Sequence, residues 1–233
     1  MAGAKVGISG QINNNIVTDG LVFYIDPAYK KSYPGSGTTW KDLINNNTGT
    51  LGATPTFDPS NSGIFDFDST DVIDFEDIPQ METTSITVSF WVYFSTLSGY
   101  GSVIFNSGTF PNGFLIQQTP TASVWNKVFY GIGGTGDYIT TNSAFITNKW
   151  YNFSITINNT TGILYLNGIA QGSSFTVGST RSNLGDALKL GQYKGGSSWP
   201  LLGSLSSVLI HNRALSLKEV TQNYQAQKER FGL

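Results

Sequence analysis

The sequence predicts an all-β domain, a sandwich or a barrel, closed by one short C-terminal helix. Three observations predict it. Segments in which apolar and polar residues alternate recur along the chain, as in "GIFDFDST" and "SITVSFWVYFST", and period-two alternation marks a strand with one face buried. The stretch "KWYNFSITINNTTGILYLNGIAQG" contains Asn167-Gly168, the pair a two-residue type I′ turn requires because both central residues need positive φ. In the tail, Ser216 stands three residues before Glu219, a capping box that satisfies two free amide donors at a helix start.

The elements follow in order. Residues 1–18 are small and polar with scattered apolar positions, and they are read as a flexible arm. The folded domain is expected over 19–233, beginning with the apolar run "GLVFYID" that Asp26-Pro27 ends. Residues 29–63, dense in Gly, Pro and Asn, predict turns and short strands. Phe65 and Phe67 alternate with Asp66 and Asp68, and "VIDFED" repeats the pattern. In 85–96, Ile86, Val88, Phe90, Val92 and Phe94 share one face, and Thr87, Ser89, Trp91 and Tyr93 the other. Strands are expected at 101–106, 113–118 and 124–132. A hairpin follows over 149–172, with its turn at 158–162, and then come "ALKLGQY" and "LLGSLSSVLIHN". In the tail, Leu217, Val220, Tyr224 and Phe231 predict one apolar helical stripe, and Gly232 its stop.

Bulk composition narrows the function. A chain of 233 residues suits one large β domain. The absence of cysteine excludes disulfides and thiolate metal sites. A net charge of −2, with no basic stripe, argues against nucleic-acid binding. No window approaches the ~18 apolar residues of a membrane span. The opening "MAGAKVGISGQINNNIVTDG" has no continuous apolar run, so no signal peptide is expected.

Five segments, in order, resemble the laminin-G-like, concanavalin-A-like jelly rolls. "GLVFYIDP" with "WKDL" is similar to the family's opening strand and loop, and "FDFDSTDVIDF" to its Phe-Asp-Gly-x-x-Asp-Tyr motif, with Ser69 where glycine is usual. "ITVSFWVYF" resembles a strand ending in Ala-Trp-Val, and the 149–172 hairpin resembles Trp-His-His-Val followed by Tyr-Val-Asn-Gly. The closing block ends in "IHNRALSLKEV", with His211 where tyrosine is usual. The resemblance implies a LamG-like jelly-roll β-sandwich over nearly the whole chain. Its opening and its ending "NYQAQKERFGL" look most like variants in tailed-bacteriophage structural proteins. That likeness implies a non-enzymatic virion component, either a head decoration or a tail or fibre part, made in the host cytoplasm. Its implied partners are other virion proteins and further copies of itself. The alternative implied by the fold is a glycan-binding lectin module, with a cell-surface glycan as partner.

Few residues suggest chemistry. His211, the one histidine, lies among core-like Leu209 and Ile210 with no nucleophile motif beside it, and is expected to be structural. The acidic block 66–77 offers Asp68 and Asp71, at a turn, as candidate ligands of a structural calcium ion, against the plainer reading of a wet strand face. No other cofactor is expected. The Glu pattern of jelly-roll glucanases is absent, so no catalytic pair is expected and the protein is read as no enzyme. Aromatic residues near Gly- and Ser-rich loops, namely Trp40, Trp125, Tyr193 and Trp199, are the candidate glycan or partner contacts.

Overall fold

The structure, a computed structural model, describes residues 15–52, 55–81, 83–97, 101–106, 113–118, 127–131, 137–140, 146–176, 187–193 and 199–233. The strands are, in chain order, β1 (Leu21–Ile25), β2 (Thr39–Lys41), β3 (Thr48–Gly52), β4 (Thr56–Asp58), β5 (Ile64–Phe67), β6 (Val72–Phe75), β7 (Ser85–Phe94) and β8 (Gly101–Asn106). They continue as β9 (Gly113–Gln118), β10 (Lys127–Gly131), β11 (Asp137–Thr140), β12 (Trp150–Asn158) and β13 (Thr161–Leu166). The last are β14 (Ile169–Ala170), β15 (Phe175–Thr176), β16 (Leu188–Leu190) and β17 (Gly203–His211). Helix α1 (Leu217–Gln227) follows and runs into a 3₁₀ turn, Lys228–Phe231.

Among the described residues these strands form two sheets. One runs β14-β13-β12-β7-β17-β5-β4, with β1 also on β17 and β15 on β13; the other runs β11-β10-β9-β8-β16-β6-β3-β2. Neighbours far apart in sequence, such as β12, β7 and β17, mean that the chain crosses repeatedly between sheets, as a jelly roll does. Phe23, Ile25, Phe65, Phe75, Phe90, Phe153, Leu190 and Ile210 are buried in the core between the sheets. The alternation read from 85–96 holds: Ile86, Val88, Phe90, Val92 and Phe94 join this core.

The second face of β7 is not wet. Thr87, Ser89 and Trp91 are all buried: the segment after β17 bonds Thr87, whose hydroxyl donates to Arg213 O and accepts from the Leu215 amide, and the C-terminal aromatics cover Trp91. Trp91 stacks on Phe231 at 4.1 Å and on Tyr224 at 5.7 Å. Strand β17 carries a bulge between Leu205 and Val208. Its edge pairs with β5 over Gly203–Leu205 and with β1 over Val208–His211. The bulge turns Ser206 and Ser207 toward the covering layer, where the Ser207 hydroxyl donates to Gln227 Oε1 at 2.8 Å.

Three expectations are corrected. The arm was placed at 1–18, but Ile16 and Val17 are buried and the Val17 amide donates to Asn223 Oδ1 at 2.7 Å, so residues 15–18 are docked; residues 1–14 lie outside the described residues. The hairpin turn is shorter than 158–162. Asn158 pairs with Thr161, and Asn159 itself adopts positive φ (52°). Gly162 sits within β13 instead, where a Cβ would strike the Phe175 ring. The turn at Asn167-Gly168, with φ of 51° and 76°, joins β13 to β14. The helix lacks the full apolar stripe: Leu217 is exposed, and the buried positions are Val220, Asn223 and Gln227.

The capping box forms as the sequence requires. Glu219 N donates to Ser216 Oγ at 3.4 Å and Ser216 N donates to Glu219 Oε2 at 2.8 Å. Bonds from Arg213 and Ser216 hold the Glu219 carboxyl down to about 2. Ser216→Ala is expected to cost about 1 kcal/mol of stability in urea denaturation.

Candidate functional site

The loop between β16 and β17 carries two of the candidate aromatics, and its base is fixed before they appear. Gly191 leaves β16 with φ of 90°, its amide donating to Val103 O at 3.0 Å. A Cβ here would collide with the Phe67 ring and approach the Asp71 carbonyl, so only glycine lets this loop lie against the end of β5. The amide of Leu201, itself buried, donates to Gly191 O at 2.7 Å and closes the loop neck. Gln192 is buried and its Nε2 donates to Ser69 O at 3.4 Å. On the far side, the amide and hydroxyl of Ser95 both donate to Leu202 O, at 3.1 and 2.9 Å.

From that base Tyr193 and Trp199 rise as a stacked pair, with ring centroids 4.5 Å apart and an interplanar angle of 24°. Trp199 is 38% exposed. It has φ of 52° and directly precedes Pro200. A bulky residue rarely adopts positive φ, and a following proline pushes its neighbour toward extended backbone. Such a conformation costs about 1–3 kcal/mol and persists only where the surroundings enforce it. Trp199 stands two residues before the Leu201 amide that closes the neck, and it is left partly open to solvent.

The loop rests on the acidic turn after β5. Asp68 and Asp71, the candidate calcium ligands, stand in a self-contained turn. Asp68 N donates to Asp71 Oδ2 at 2.8 Å, and Asp68 Oδ1 accepts from the Thr70 amide at 3.0 Å and hydroxyl at 3.2 Å. Asp71 is buried, and burial raises its carboxyl pKa while the Asp68 amide lowers it. Asp68, Ser69 and Thr70 face solvent. Among the described residues no group of three or more His, Cys, Asp or Glu side chains is placed to hold a metal ion.

The other candidates separate. Trp40 is fully buried, packed on Phe65 at 4.8 Å with its Nε1 donating to Ser32 Oγ at 3.0 Å, and so cannot contact a glycan or a partner. Its place in "WKDL" is structural, like that of buried Asp42, which accepts bonds from the amides of Tyr24, Ile44 and Asn45 and from Asn47 Nδ2. Trp125 lies outside the described residues. His211 is fully buried, its ring Nε2 2.9 Å from Val17 O. Residue types alone did not indicate Gly191, Gln192 or the strained backbone of Trp199, since these act through contacts with distant strands.

A family model described as the concanavalin A-like lectin/glucanases superfamily, of laminin G type, matches residues 67–221. No curated protein sequence matches the chain. Among solved structures, domain 4 of AbnA, a GH43 extracellular arabinanase from Geobacillus stearothermophilus crystallised with arabinotriose, is similar at a TM-score of 0.70 and 17% identity, covering 88% of this chain and 98% of that domain. Trypanosoma rangeli sialidase, in complex with the inhibitor DANA, is similar at 0.67 and 15% identity, over 92% of this chain and 34% of the sialidase chain. The W1252A mutant of HCR D/C VPI 5995 is similar at 0.70 and 14% identity, over 89% of this chain and 52% of that one. At these identities the likenesses establish a shared fold.

Proposed function

The chain belongs to the concanavalin A-like lectin/glucanases superfamily, and from that premise we propose that it is a non-catalytic glycan-binding module whose sugar contact is the Tyr193–Trp199 pair. The observation that carries this reading is the strained, solvent-facing indole of Trp199. Aromatic faces bind the apolar face of a sugar ring, and two rings already stacked on each other have less freedom to lose on binding. Exposed Asp68, Ser69 and Thr70, beside the loop base, supply polar groups for sugar hydroxyls. The arabinotriose carried by the similar arabinanase domain supports the ligand class.

The non-catalytic part rests on the missing Glu pattern of jelly-roll glucanases, and several of the described carboxylates are in addition committed to structural joints. Asp26 is held by Arg230, Asp42 by four donors, Asp66 by Ser204, Asp74 by Lys189 and Glu219 by Arg213. Each closes a joint between strands, loops or the helix. The proposal calls on no metal, because Asp68 and Asp71 hold their own turn.

Trp199→Gly tests the proposal cleanly. Glycine adopts the same positive φ without strain, so the backbone turn can persist while the ring and its stacking on Tyr193 are lost. Relief of the backbone strain offsets part of the lost stacking on Tyr193 and of the added chain entropy, so stability is expected to change by no more than about 1–2 kcal/mol. Affinity for the best ligand on a glycan array is expected to fall about tenfold or more. Undiminished binding by the variant, or no binding by the parent across broad arrays, overturns the proposal.

A second reading places this module on a tailed-phage particle, as a head decoration or a tail or fibre part. It is favoured by the two segments that resemble phage structural proteins, which meet here through Asp26 and Arg230. Quantitative mass spectrometry of purified particles tests it. Hundreds of copies per particle support head decoration, a few to a few dozen support a tail or fibre, and absence removes the reading.

A further inference from the structure

We propose that residues 15–19 form an acid-releasable strap, with His211 beneath it as the trigger. The strap crosses the end of β17 and the face of α1. Val17 is held at both its backbone groups: its amide donates to Asn223 Oδ1 at 2.7 Å and its carbonyl accepts from His211 Nε2 at 2.9 Å. Gln222 Nε2 donates to Asn15 O at 3.0 Å, and Arg213 Nε donates to Asp19 O at 3.1 Å. Ile16 packs with Leu21, Tyr24 and Leu209, and Val17 with Tyr165, Leu215 and Val220.

The carbonyl of Val17 can only accept, so the imidazole proton sits on Nε2. The other ring nitrogen, Nδ1, is buried without a hydrogen-bond partner. A second proton on the ring would therefore face no acceptor in a site closed to water. The charged ring is disfavoured while the site stays closed, and the strap, bonded to the ring at Nε2, is the part of that closure held by a few hydrogen bonds. The charged groups near the ring come from three elements: Asp19 on the strap, Arg213 after β17 and Glu219 on α1. Neither β1 nor β7 carries a charged residue. Arg213 is paired with both Asp19 and Glu219, at 2.8 and 2.6 Å, and Glu219 stays ionised far below neutral pH.

Burial pulls the His211 pKa down from 6.5 to about 4, with Arg213 adding to the shift and the Val17 carbonyl opposing it. The sign follows. The docked strap prefers the neutral ring, so docking is fully favoured above pH 6.5 and weakens as pH falls from 6.5 toward 4. The position of the N-terminal end of the domain is thereby linked to pH, independently of any glycan.

Hydrogen exchange of the Val17 amide in the full chain, corrected for intrinsic rates, reads the strap directly. Between pH 7.5 and pH 4.5 its protection is expected to fall about tenfold or more. Core amides of β7 and β12 should keep theirs. In His211→Gln, which retains a donor for the Val17 carbonyl but cannot ionise, the acid-dependent fall should vanish. Should that variant not fold, nuclear magnetic resonance titration of the His211 ring in the parent chain provides the second readout. Its midpoint must coincide with loss of Val17 protection. Unchanged Val17 protection at pH 4.5, a simultaneous fall across β7 and β12, or the same fall in His211→Gln overturns the proposal.

Discussion

Arg230→Met lowers the free energy of unfolding by about 3–5 kcal/mol, because it strands a buried carboxylate. Asp26, 2% exposed at its side chain, receives both its charge partner and two hydrogen bonds from Arg230 Nη1, each at 2.8 Å. The same guanidinium donates through Nη2 to Gly63 O and to Ser206 Oγ, both at 2.6 Å, and through Nε to Asn61 O. One side chain thus joins the final 3₁₀ turn to the end of β1, the turn before β5 and the bulge of β17. Tyr24 completes the arrangement. Its hydroxyl, which burial keeps protonated well beyond the usual range, donates to Asp26 Oδ2 at 3.0 Å. Most of the loss comes from leaving Asp26 charged and unpaired, so Asp26→Asn combined with Arg230→Met should recover a substantial part of it. Guanidinium denaturation of the single and double variants measures both. A loss below about 1 kcal/mol in Arg230→Met would mean that water already solvates Asp26.

Trp91→Ala should destabilise the domain by about 3–5 kcal/mol and loosen the C-terminal segment from the sheet. Trp91 is fully buried on the outer face of β7, held between Phe231 and Tyr224. Phe231 also packs on Trp150 at 4.7 Å. The other buried positions of α1 are Val220, packed with Val17, Tyr165 and Leu215, and the polar Asn223 and Gln227. Removing the indole leaves a cavity that this thin polar layer cannot fill. Trp91→Phe keeps an aromatic face and removes an N–H that is buried without a partner. Its cost should be roughly half that of alanine or less. Chemical denaturation ranks the two variants. Loss of helical circular dichroism below the main transition in Trp91→Ala would locate the damage at α1.

Both effects lie in contacts that local sequence could not reveal. Trp91 appears in the sequence as one aromatic on the second face of an alternating strand, and that pattern leaves open whether water or another element covers it. Arg230 appears as a basic residue near the chain end, and its partner is 204 positions away. Trp40 shows the opposite error. Its loop-rich neighbourhood suggests exposure, whereas the pairing of β2 with β3 and the ring of Phe65 bury it completely. The helix stripe failed at Leu217 for a related reason. The sheet beneath α1 presents serines and asparagine as well as Trp91, so polar helix positions are the ones that dock.

What the sequence determined by itself is whatever depends on short-range physics: the strand alternation of 85–94, the positive-φ turn at Asn167-Gly168, the Ser216–Glu219 cap, and the ordered motifs that identify the fold. Tertiary structure decided the second face of β7, the docking of residues 15–18, the Asp26–Arg230 joint and the stacking of Trp199 on Tyr193. Periodicity records that a face alternates, but not what covers it. Ion pairs and loop necks join residues whose separation leaves no local trace, so they exist only once the two sheets and the C-terminal helix have come together.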